Sequence, residues 1–324
     1  MKISIDGGGL CARPESRFGN YVFSMSVLRA LSKYDDLNQY TVYSFCQKPV
    51  ELKLGKNFTY KILLPKKFWL SLRVSLEERF RQSNYFLALN QAIPKTSAKT
   101  IAFSHGLSFY YHKKFYPDLY SVLMKQLKMM NDKSVKIIVS SLRVKREMEG
   151  LFNIKDKIEI IPYGIPYDFL TSKKDKREKY FLYVGMNHPI KNIAFLNKAL
   201  NEFKSDRRFS DYKLILVKDS VLSRKKLKVL YQKATAYLSA SFYESFNLPV
   251  LEALSQDCPV IGLNSAIIPE LNSYVNIAKD QRQFVDLMEK AALKETKIID
   301  SKKLRREFSW KKYVERLIKI YSHN

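Results

Sequence analysis

The sequence contains no run of about eighteen apolar residues, and it has only three cysteines. The first absence excludes a membrane-spanning helix, and the chain opens directly on a predicted strand, so we expect no signal peptide. Cys11, Cys46 and Cys258 are an odd number without metal-binding spacing, which favours free thiols in a reducing compartment. The sequence therefore predicts a cytoplasmic protein, with peripheral contact at the inner membrane face as an open alternative.

Acidic residues are also scarce, because 57 lysines and arginines face 31 aspartates and glutamates, for a net charge of +26. Such a balance predicts attraction to an anionic partner, which is membrane lipid, nucleic acid or an acidic substrate. The lysines are spread along the whole chain and form no basic tail, so nucleic acid is the least favoured partner. An anionic membrane surface stays a candidate, and a generally lysine-rich composition is the alternative explanation.

What is present indicates a soluble α/β protein. The chain has 324 residues, 46% apolar and 27% charged, which is enough for two α/β domains with separate cores. Lys2 to Ile5 alternates as a strand, Gly7 to Gly9 follow, and apolar spacing predicts a helix from Asn20 to Ser32. In parallel sheets such a loop lies where ligands bind, so Gly8 and Gly9 are candidate substrate contacts. A mobile turn is the alternative.

The stretch from Ala240 to Leu254 carries the most specific chemistry. A short apolar strand precedes it, and Pro249 suits the first turn of a helix, so the pattern predicts strand, turn and helix. We expect free N–H groups around Asn247 to Val250 at this helix start, where they favour an anion. Glu244 and Glu252 lie eight residues apart, and a carboxylate accepts both hydroxyl protons of a sugar diol. Phosphate beside ribose is a nucleoside diphosphate site, whereas the alternative is a helix with an acid in its first turn.

This stretch resembles the E-x7-E region of the retaining glycosyltransferases of family 4, which have the GT-B fold. The similarity continues through Pro259-Val260-Ile261 and Ile268-Pro269-Glu270, and upstream blocks resemble the family from Asp6 onward. Ser245 and Asn247 stand where the family has glycines, and Asp257 also replaces a glycine. Residues other than glycine tolerate positive φ less well, so these replacements restrict the loop. Among the non-glycine residues, asparagine tolerates positive φ best.

The resemblance implies roles for individual residues. His105, at the end of a predicted strand, would contact the donor sugar, Lys191 the diphosphate and Glu244 the sugar hydroxyls. Glu252 would bind ribose. The remaining residues implied in substrate binding are Gly8, Gly9, Gly185, Asn192, Ser245, Phe246, Asn247 and Leu248.

The implied architecture is α/β of the GT-B type, with two Rossmann-like domains that face a cleft. We expect an acceptor-side domain over residues 1–166, a nucleotide-sugar domain over 167–306 and a helix over 307–324 that returns to the first domain. No Asp-x-Asp pair occurs, so we expect neither a metal nor a cofactor, only the donor substrate. The interval after Val217 is too short for a strand that the family normally has, which predicts a shortened second sheet.

The expected function is transfer of a hexose, with retention, from a GDP- or UDP-linked sugar to a glycan or lipid-linked acceptor in surface polysaccharide synthesis. Between Lys66 and Arg81 the sequence is basic and aromatic, with apolar positions Trp69, Leu72, Leu76 and Phe80 at helical spacing. That pattern predicts a helix that lies on an anionic membrane or packs on its own sheet. A catalytically inactive, basic binding protein of the same fold is the alternative function.

Overall fold

The computed structural model describes residues 1–14, 17, 19–154, 156–172, 175–218, 222–297 and 299–322. They form two compact units, which we call unit 1 (Met1–Gly164 with Trp310–Asn324) and unit 2 (Ile165–Ser309). The sequence placed the domain boundaries after residues 166 and 306, whereas the units divide after residues 164 and 309. In the described ranges no helix combines the length and apolarity that crossing a bilayer requires.

Unit 1 is built on a seven-stranded parallel sheet. Its strands are β1 (Lys2–Asp6), β2 (Gln39–Ser44), β3 (Phe58–Ile62), β4 (Tyr85–Ala88), β5 (Lys99–Ser104), β6 (Ser134–Val139) and β7 (Ile158–Ile160). Its helices up to residue 164 are α1 (Gly19–Tyr34), α2 (Ser75–Arg81), α3 (Ser108–Tyr111), α4 (Tyr120–Lys133) and α5 (Leu142–Phe152). The strand order is β3-β2-β1-β4-β5-β6-β7, so the direction of winding reverses between β1 and β4.

The strands of unit 1 are apolar because helices cover both faces of a parallel sheet. Ile3 and Ile5 of β1 and Ile101 of β5 are fully buried, as the alternating and continuous apolar runs of the sequence predict. Ser141 begins α5 by accepting the Val144 N–H at its side chain, which satisfies one of the unpaired amides of the first turn. Local signals and packing therefore agree in this sheet.

Unit 2 is built on a five-stranded parallel sheet. Its strands are β8 (Glu178–Val184), β9 (Lys213–Val217), β10 (Ala234–Ser239), β11 (Val260–Leu263) and β12 (Asn276–Ala278). Its helices are α6 (Ile193–Phe203), α7 (Arg224–Lys233), α8 (Leu248–Ser255), α9 (Gln281–Ala292) and α10 (Ser301–Glu307). The order β12-β11-β10-β8-β9 reverses between β8 and β10. Among the described residues, none between β9 and α7 forms a strand, in keeping with the predicted short edge.

The last helix, α11 (Trp310–Ser322), packs in unit 1, where the fold-class prediction put it. Its Tyr321 hydroxyl lies 2.8 Å from the hydroxyl of Tyr40 on β2, and both hydroxyls donate to Asp35 after α1. At its start, Trp310 packs so closely on Gly164 that a Cβ there would come within 2.6 Å of the Trp310 nitrogen. Glycine is therefore required where the chain leaves unit 1. The α/β class predicted from the sequence is confirmed.

The prediction of three free thiols is wrong for two of them. Cys11 and Cys46 are joined by a disulfide bond, with their Cα atoms 5.5 Å apart, while Cys258 is free and buried. The reason is topological, since Cys11 follows β1 and Cys46 follows β2, and these strands are neighbours in the sheet. A separation of 35 residues along the chain hides this proximity from the sequence.

The basic segment after residue 66 forms a π-helical turn over Trp69–Val74 that continues into α2. The predicted stripe of Trp69, Leu72, Leu76 and Phe80 is wrong in its first member. Trp69 turns inward and meets the ring of Phe45 at 5.2 Å, because the wider π turn shifts the register of the helix. The exposed apolar side chains instead recur every four residues; we call Phe68, Leu72, Leu76 and Phe80 the apolar stripe.

Candidate functional site

The candidate site of unit 2 lies at the carboxyl ends of β8 and β10, where the strand order reverses. This is the place at which doubly wound sheets leave a crevice for ligands. Two loops meet there. The Phe242 N–H donates to the Ile190 carbonyl at 2.9 Å, and the Asn192 side chain donates to the Ala240 carbonyl at 3.2 Å. The loop after β8 and the loop after β10 are therefore held against each other by one backbone hydrogen bond and one side chain–backbone hydrogen bond.

These loops bring Lys191 and Glu244 into contact. The Lys191 Nζ atom lies 2.7 Å from Glu244 Oε1, and the Ser241 hydroxyl donates to the same oxygen at 2.7 Å. Both side chains keep part of their surface open, 18% for the lysine and 11% for the glutamate. A pair at this exposure can separate when a ligand offers each member a better partner. The two residues that the sequence assigned to diphosphate and sugar are thus neighbours.

Gly185 and Asn192 frame the lysine loop. Gly185 directly follows β8, and a Cβ on it would come within 2.6 Å of the Tyr183 hydroxyl, so only glycine fits there. Asn192 adopts positive φ, 53°, just before α6. Asparagine tolerates that conformation better than other non-glycine residues, which lets the chain reverse immediately after Lys191. Lys191 consequently sits at the end of a tight turn.

The start of α8 is the predicted anion site. Asn247 precedes it at φ 67°, and its side chain donates backward to the Ser239 hydroxyl and the Ala266 carbonyl. It therefore does not cap the helix, and asparagine supplies the left-handed conformation that glycine gives in the family. The Val250 N–H donates to the Asn247 carbonyl at 3.0 Å, and Pro249 has no N–H. The expectation that the backbone amides from Asn247 to Val250 are all free is therefore wrong for Pro249 and Val250.

The other predicted residues of this turn divide between packing and surface. Phe246 and Leu248 are buried, and Phe246 meets the ring of Phe308 at 6.1 Å, so any contact they make with a ligand is through the backbone. Ser245 is half-buried beside Glu244. Their side chains hold the turn in place while Glu244 remains partly open.

Glu252 lies one turn into α8 and is 3% exposed. Its Oε1 accepts from Arg224 at 2.7 Å and its Oε2 from the Tyr231 hydroxyl at 3.2 Å. Burial raises the pKa of the Glu252 carboxyl, and the Arg224 guanidinium counteracts that rise. Burial also raises the pKa of Tyr237. The electrostatic interaction with Tyr183, followed by those with Glu244 and Glu252, raises it further. Tyr237 of β10 therefore feels both carboxylates of the E-x7-E pattern.

In unit 1 the corresponding reversal between β1 and β4 carries a hydrogen-bonded network around Asp6, and Gly8 and Gly9 are half-buried beside it. Asp6 is buried and accepts from the Gly8 N–H at 2.8 Å and from the Asn90 side chain at 3.0 Å. Burial raises the pKa of Asp6, and these donors lower it. A Cβ on Gly9 would come within 2.5 Å of the Ser24 hydroxyl and 2.7 Å of Asn90 Oδ1. The glycines are therefore demanded by close packing, and the loop is a 3-10 helix rather than an irregular turn.

His105 lies directly after β5 and has both ring nitrogens engaged within unit 1. Its Nε2 lies 2.7 Å from the Leu89 carbonyl and therefore donates, while its Nδ1 lies 3.0 Å from the Tyr163 hydroxyl. Burial lowers the pKa of His105, and the Leu89 carbonyl partly offsets this. The structure thus holds a neutral imidazole. Contact of His105 with a donor sugar stays a prediction.

Sequence reasoning missed Arg224, Asp168 and Tyr231, which surround Glu252. Arg224 begins α7 directly after a serine cap and Asp168 lies in a short 3-10 turn, and neither matches a motif. Only their proximity to Glu252 in the folded protein reveals them. In the described ranges, no group of three or more His, Cys, Asp or Glu side chains is arranged to hold a metal ion.

Comparison with known structures identifies the fold. Sucrose-phosphate synthase of Thermosynechococcus elongatus superimposes with a TM-score of 0.71 at 13% identity, over 100% of this chain and 98% of that one. The chain has the GT-B fold with two Rossmann-like domains, as the sequence resemblance predicted. No protein-family model matches the chain.

The sequence itself is similar to mannosyltransferases. O-antigen chain mannosyltransferase RfbU of Salmonella typhimurium is 30% identical over 224 residues, which are 63% of this chain and 62% of that protein. O-antigen chain mannosyltransferase B of Escherichia coli is 24% identical over 258 residues, 68% and 66% of the two chains. The match spans less than two thirds of either relative. The predicted resemblance to GT-B glycosyltransferases of the mannosyltransferase type is confirmed.

Proposed function

We propose that this protein is a glycosyltransferase that moves a hexose from a nucleoside diphosphate sugar to an acceptor of surface polysaccharide synthesis. The observation that carries the proposal is the Lys191–Glu244 pair, 2.7 Å apart at the strand reversal of unit 2. A cation for phosphate and a carboxylate for hydroxyls stand side by side where such sheets bind ligands. The relatives named O-antigen mannosyltransferases support the same class and favour mannose as the hexose. The GDP- or UDP-linked donor is part of our proposal.

Donor binding would separate the ion pair. Lys191 turns to the diphosphate, where a positive charge stabilises the phosphate that leaves as the glycosidic bond breaks. Glu244 then accepts protons from the sugar hydroxyls, and Ser241 keeps its carboxylate in place. The amides at Asn247 and Leu248, at the start of α8, favour the same anion. Glu252 would accept the ribose hydroxyls.

The proposed chemistry proceeds with retention and without a metal. The bond from the sugar C1 to the diphosphate oxygen breaks, and the acceptor oxygen forms its bond on the same face. The departing phosphate oxygen takes the acceptor proton. This course is what the family resemblance implies, and His105 is proposed to contact the donor sugar during it.

A donor scan tests the assignment. The purified protein is heated with GDP, UDP, ADP and dTDP, and the melting temperature of a transferase should rise with its own nucleotide. Each corresponding sugar nucleotide is then offered, and release of the nucleoside diphosphate is measured by chromatography. Lys191→Gln and Glu244→Gln should lose the response. Lys179→Gln is the matched control, because it breaks the exposed Lys179–Asp211 pair of the same unit, at 2.7 Å.

The scan also decides the alternative function. A basic binding protein that kept the fold and lost catalysis is favoured by the net charge of +26 and by the lack of a described strand between β9 and α7. Such a protein would show no thermal response to any of the four nucleotides. It would instead bind an anionic polymer in a manner that weakens steeply with salt.

We further propose that the acceptor is lipid-linked and that unit 1 reaches it at an anionic membrane surface. The apolar stripe supports this, since Phe80 is 79% and Leu72 is 63% exposed. The exposed cations on the same segment are Lys66, Lys67, Arg73 and Arg79. Each lysine or arginine near anionic lipid contributes about 1 kcal/mol, so four suffice for reversible binding.

Liposome sedimentation at low salt tests the membrane proposal. The wild-type protein should sediment with vesicles that contain phosphatidylglycerol and stay in solution with vesicles of phosphatidylcholine alone. Changing Lys66, Lys67, Arg73 and Arg79 together to Glu should abolish sedimentation and leave nucleotide binding intact. Arg81 is omitted from the set because it is half-buried. Equal sedimentation with both vesicles, or with neither, would contradict the membrane proposal while leaving the transferase assignment standing.

A further inference from the structure

Glu252 of unit 2 belongs to a network of ion pairs. The other charged residues of this network lie outside the E-x7-E pattern. The Arg224 Nη2 atom lies 2.7 Å from Glu252 Oε1, and its Nε atom donates to Asp168 Oδ2 at 2.6 Å. The guanidinium also lies 4.4 Å from the centre of the Phe169 ring. One arginine is therefore held by a second carboxylate and an aromatic face in addition to its contact with Glu252.

The exposure of the partners differs sharply. The Glu252 side chain is 4% exposed, whereas those of Arg224 and Asp168 are 36% and 39% exposed. A carboxylate this deeply buried is costly to ionise without a cation and hydrogen-bond donors. Arg224 supplies the cation from the solvent side, and Asp168 and Phe169 fix its position. The arrangement brings a preset positive charge to a buried acid.

Glu252 still has capacity for a ligand. A carboxylate offers about four lone-pair sites, and Arg224 and Tyr231 take one on each oxygen. One lone-pair site on each oxygen therefore remains, which is the number that two adjacent hydroxyls of a ribose require. Hydrogen bonds to an ionised acceptor are about twice as strong as those to a neutral one, so the diol gains from the ionised form.

We propose that Arg224, whose position Asp168 fixes, is a positioning residue for donor binding that holds Glu252 ionised and oriented toward the ribose diol. This inference rests on the proposed function and deepens it. It assigns a role to a residue of α7 that lies outside the nucleotide motifs of the sequence.

The surroundings of Glu252 come from several elements. The titratable and charged groups that interact with it are Arg224 and Tyr231 on α7, Asp168 in the 3-10 turn and Tyr237 on β10. Arg305 on α10 donates to the Ser255 carbonyl at the end of α8. Burial raises the pKa of Glu252, Arg224 lowers it and Asp168 raises it. Removal of Arg224 therefore shifts the pKa of Glu252 further upward, and the acid becomes neutral at a higher pH.

Calorimetric titration with GDP and UDP tests the inference on the whole chain. At about pH 6, Arg224→Gln should weaken binding of the preferred nucleotide roughly ten- to hundredfold, the usual size of a charged hydrogen bond. The loss should shrink toward about pH 9, because Glu252 then ionises without help. Arg224→Lys should restore most of the affinity. Wild-type affinity should change less over the same pH range.

A double-mutant cycle separates positioning from general damage. In a Glu252→Gln background Arg224→Gln should change the dissociation constant less than about twofold, because the group through which it acts no longer titrates. Arg208→Gln is the matched control, since it breaks the exposed Arg208–Asp206 pair, at 2.6 Å, in the same unit. A melting curve of every variant verifies folding.

The outcomes distinguish failure of the inference about Arg224 from failure of the proposed function. Equal losses in both backgrounds, or a loss independent of pH, would overturn the inference and make Arg224 a structural residue. Nucleotide binding that Arg224→Gln leaves unchanged would do the same and leave the proposed function intact. No nucleotide binding by the wild-type protein would overturn the proposed function and this inference together.

Discussion

The strand reversals of the two sheets have the same topology and different contents. In unit 1 the reversal between β1 and β4 is closed by Asp6, the glycine loop and Asn90, which bond to one another, and the disulfide of Cys11 ties the loop to the neighbouring strand. In unit 2 the reversal between β8 and β10 presents an ion pair that is partly open to solvent. The topology is shared, and the side chains decide whether the reversal carries an internal network or an ion pair that is partly open to solvent.

The stability of the two reversals should therefore respond to different changes. The strand reversal of unit 1 depends on a disulfide bond and on close packing. Changes to it should therefore appear in unfolding measurements. The strand reversal of unit 2 depends on an ion pair whose members can bind a ligand instead of each other. Changes to it should therefore appear in ligand binding and turnover. The following changes test that division, from the largest expected effect to the smallest.

Replacing Cys11 and Cys46 together by Ser should lower the free energy of unfolding of unit 1 by about 4 kcal/mol. The disulfide closes a loop across a separation of 35 residues, and opening it returns entropy to the unfolded chain. Denaturant titration, followed by hydrogen exchange in both units, measures the effect. Dithiothreitol should reproduce it in the wild type and have no effect on the double variant. A similar loss in unit 2 would contradict the division.

Lys191→Gln should lower kcat/KM for the donor about a hundredfold, which is typical for removal of a group that stabilises charge in the transition state. Steady-state release of the nucleoside diphosphate measures it. The change in the free energy of unfolding should be smaller than this loss, because Gln can still donate to Glu244, which also accepts from the Ser241 hydroxyl. If Lys179→Gln causes the same loss, the effect is one of net charge and not of the site.

Gly9→Ala should destabilise unit 1 by about 1 to 3 kcal/mol, because the new methyl group would lie 2.5 Å from the Ser24 hydroxyl. Gly150→Ala is the matched control, since nothing lies within 4 Å of its Cβ position in α5, and alanine there should stabilise the helix by up to about 1 kcal/mol. Thermal or denaturant unfolding measures both. Tolerance of Gly9→Ala would mean that the loop is open after all.

Acidification should destabilise unit 1 through His105. Its pKa in the folded protein is lowered by burial, so the unfolded chain binds the proton more readily and the free energy of unfolding falls as the pH drops below about 6.5. The slope from this group cannot exceed about 1.4 kcal/mol per pH unit. Denaturant titrations between about pH 5 and about pH 7.5 measure it. His105→Gln should flatten the slope, and an unchanged slope would assign it to other groups.

Much of the fold follows from patterns that are local in the sequence. Strand runs such as Lys2 to Ile5, the helix start at Pro249 and the serine cap of α5 each depend on neighbours within a few residues, and each was predictable. The resemblance to a family implied separate roles for Lys191 and Glu244 and did not predict that they pair. The distance of 2.7 Å between them is a property of the two loops.

The features that escaped prediction depend on residues far apart in the chain. The disulfide joins residues that meet only because β1 and β2 are adjacent, and Arg224 meets Glu252 only because α7 packs beside α8. Trp69 left the predicted stripe because a π-helical turn, which no periodicity of 3.6 residues anticipates, rotated it inward. Non-local packing and register changes set the limit in all three cases.

The division of unit 1 into two stretches of chain has a consequence for the order of synthesis. A ribosome that makes 5–20 residues per second produces the whole of unit 2 before α11 emerges, which takes on the order of ten seconds. During that interval the side of α1 that carries Phe23 lacks its α11 neighbours, Trp310 and Tyr313. The nascent chain therefore exposes an apolar helix face to chaperones until α11 has been synthesised, while unit 2 can already fold.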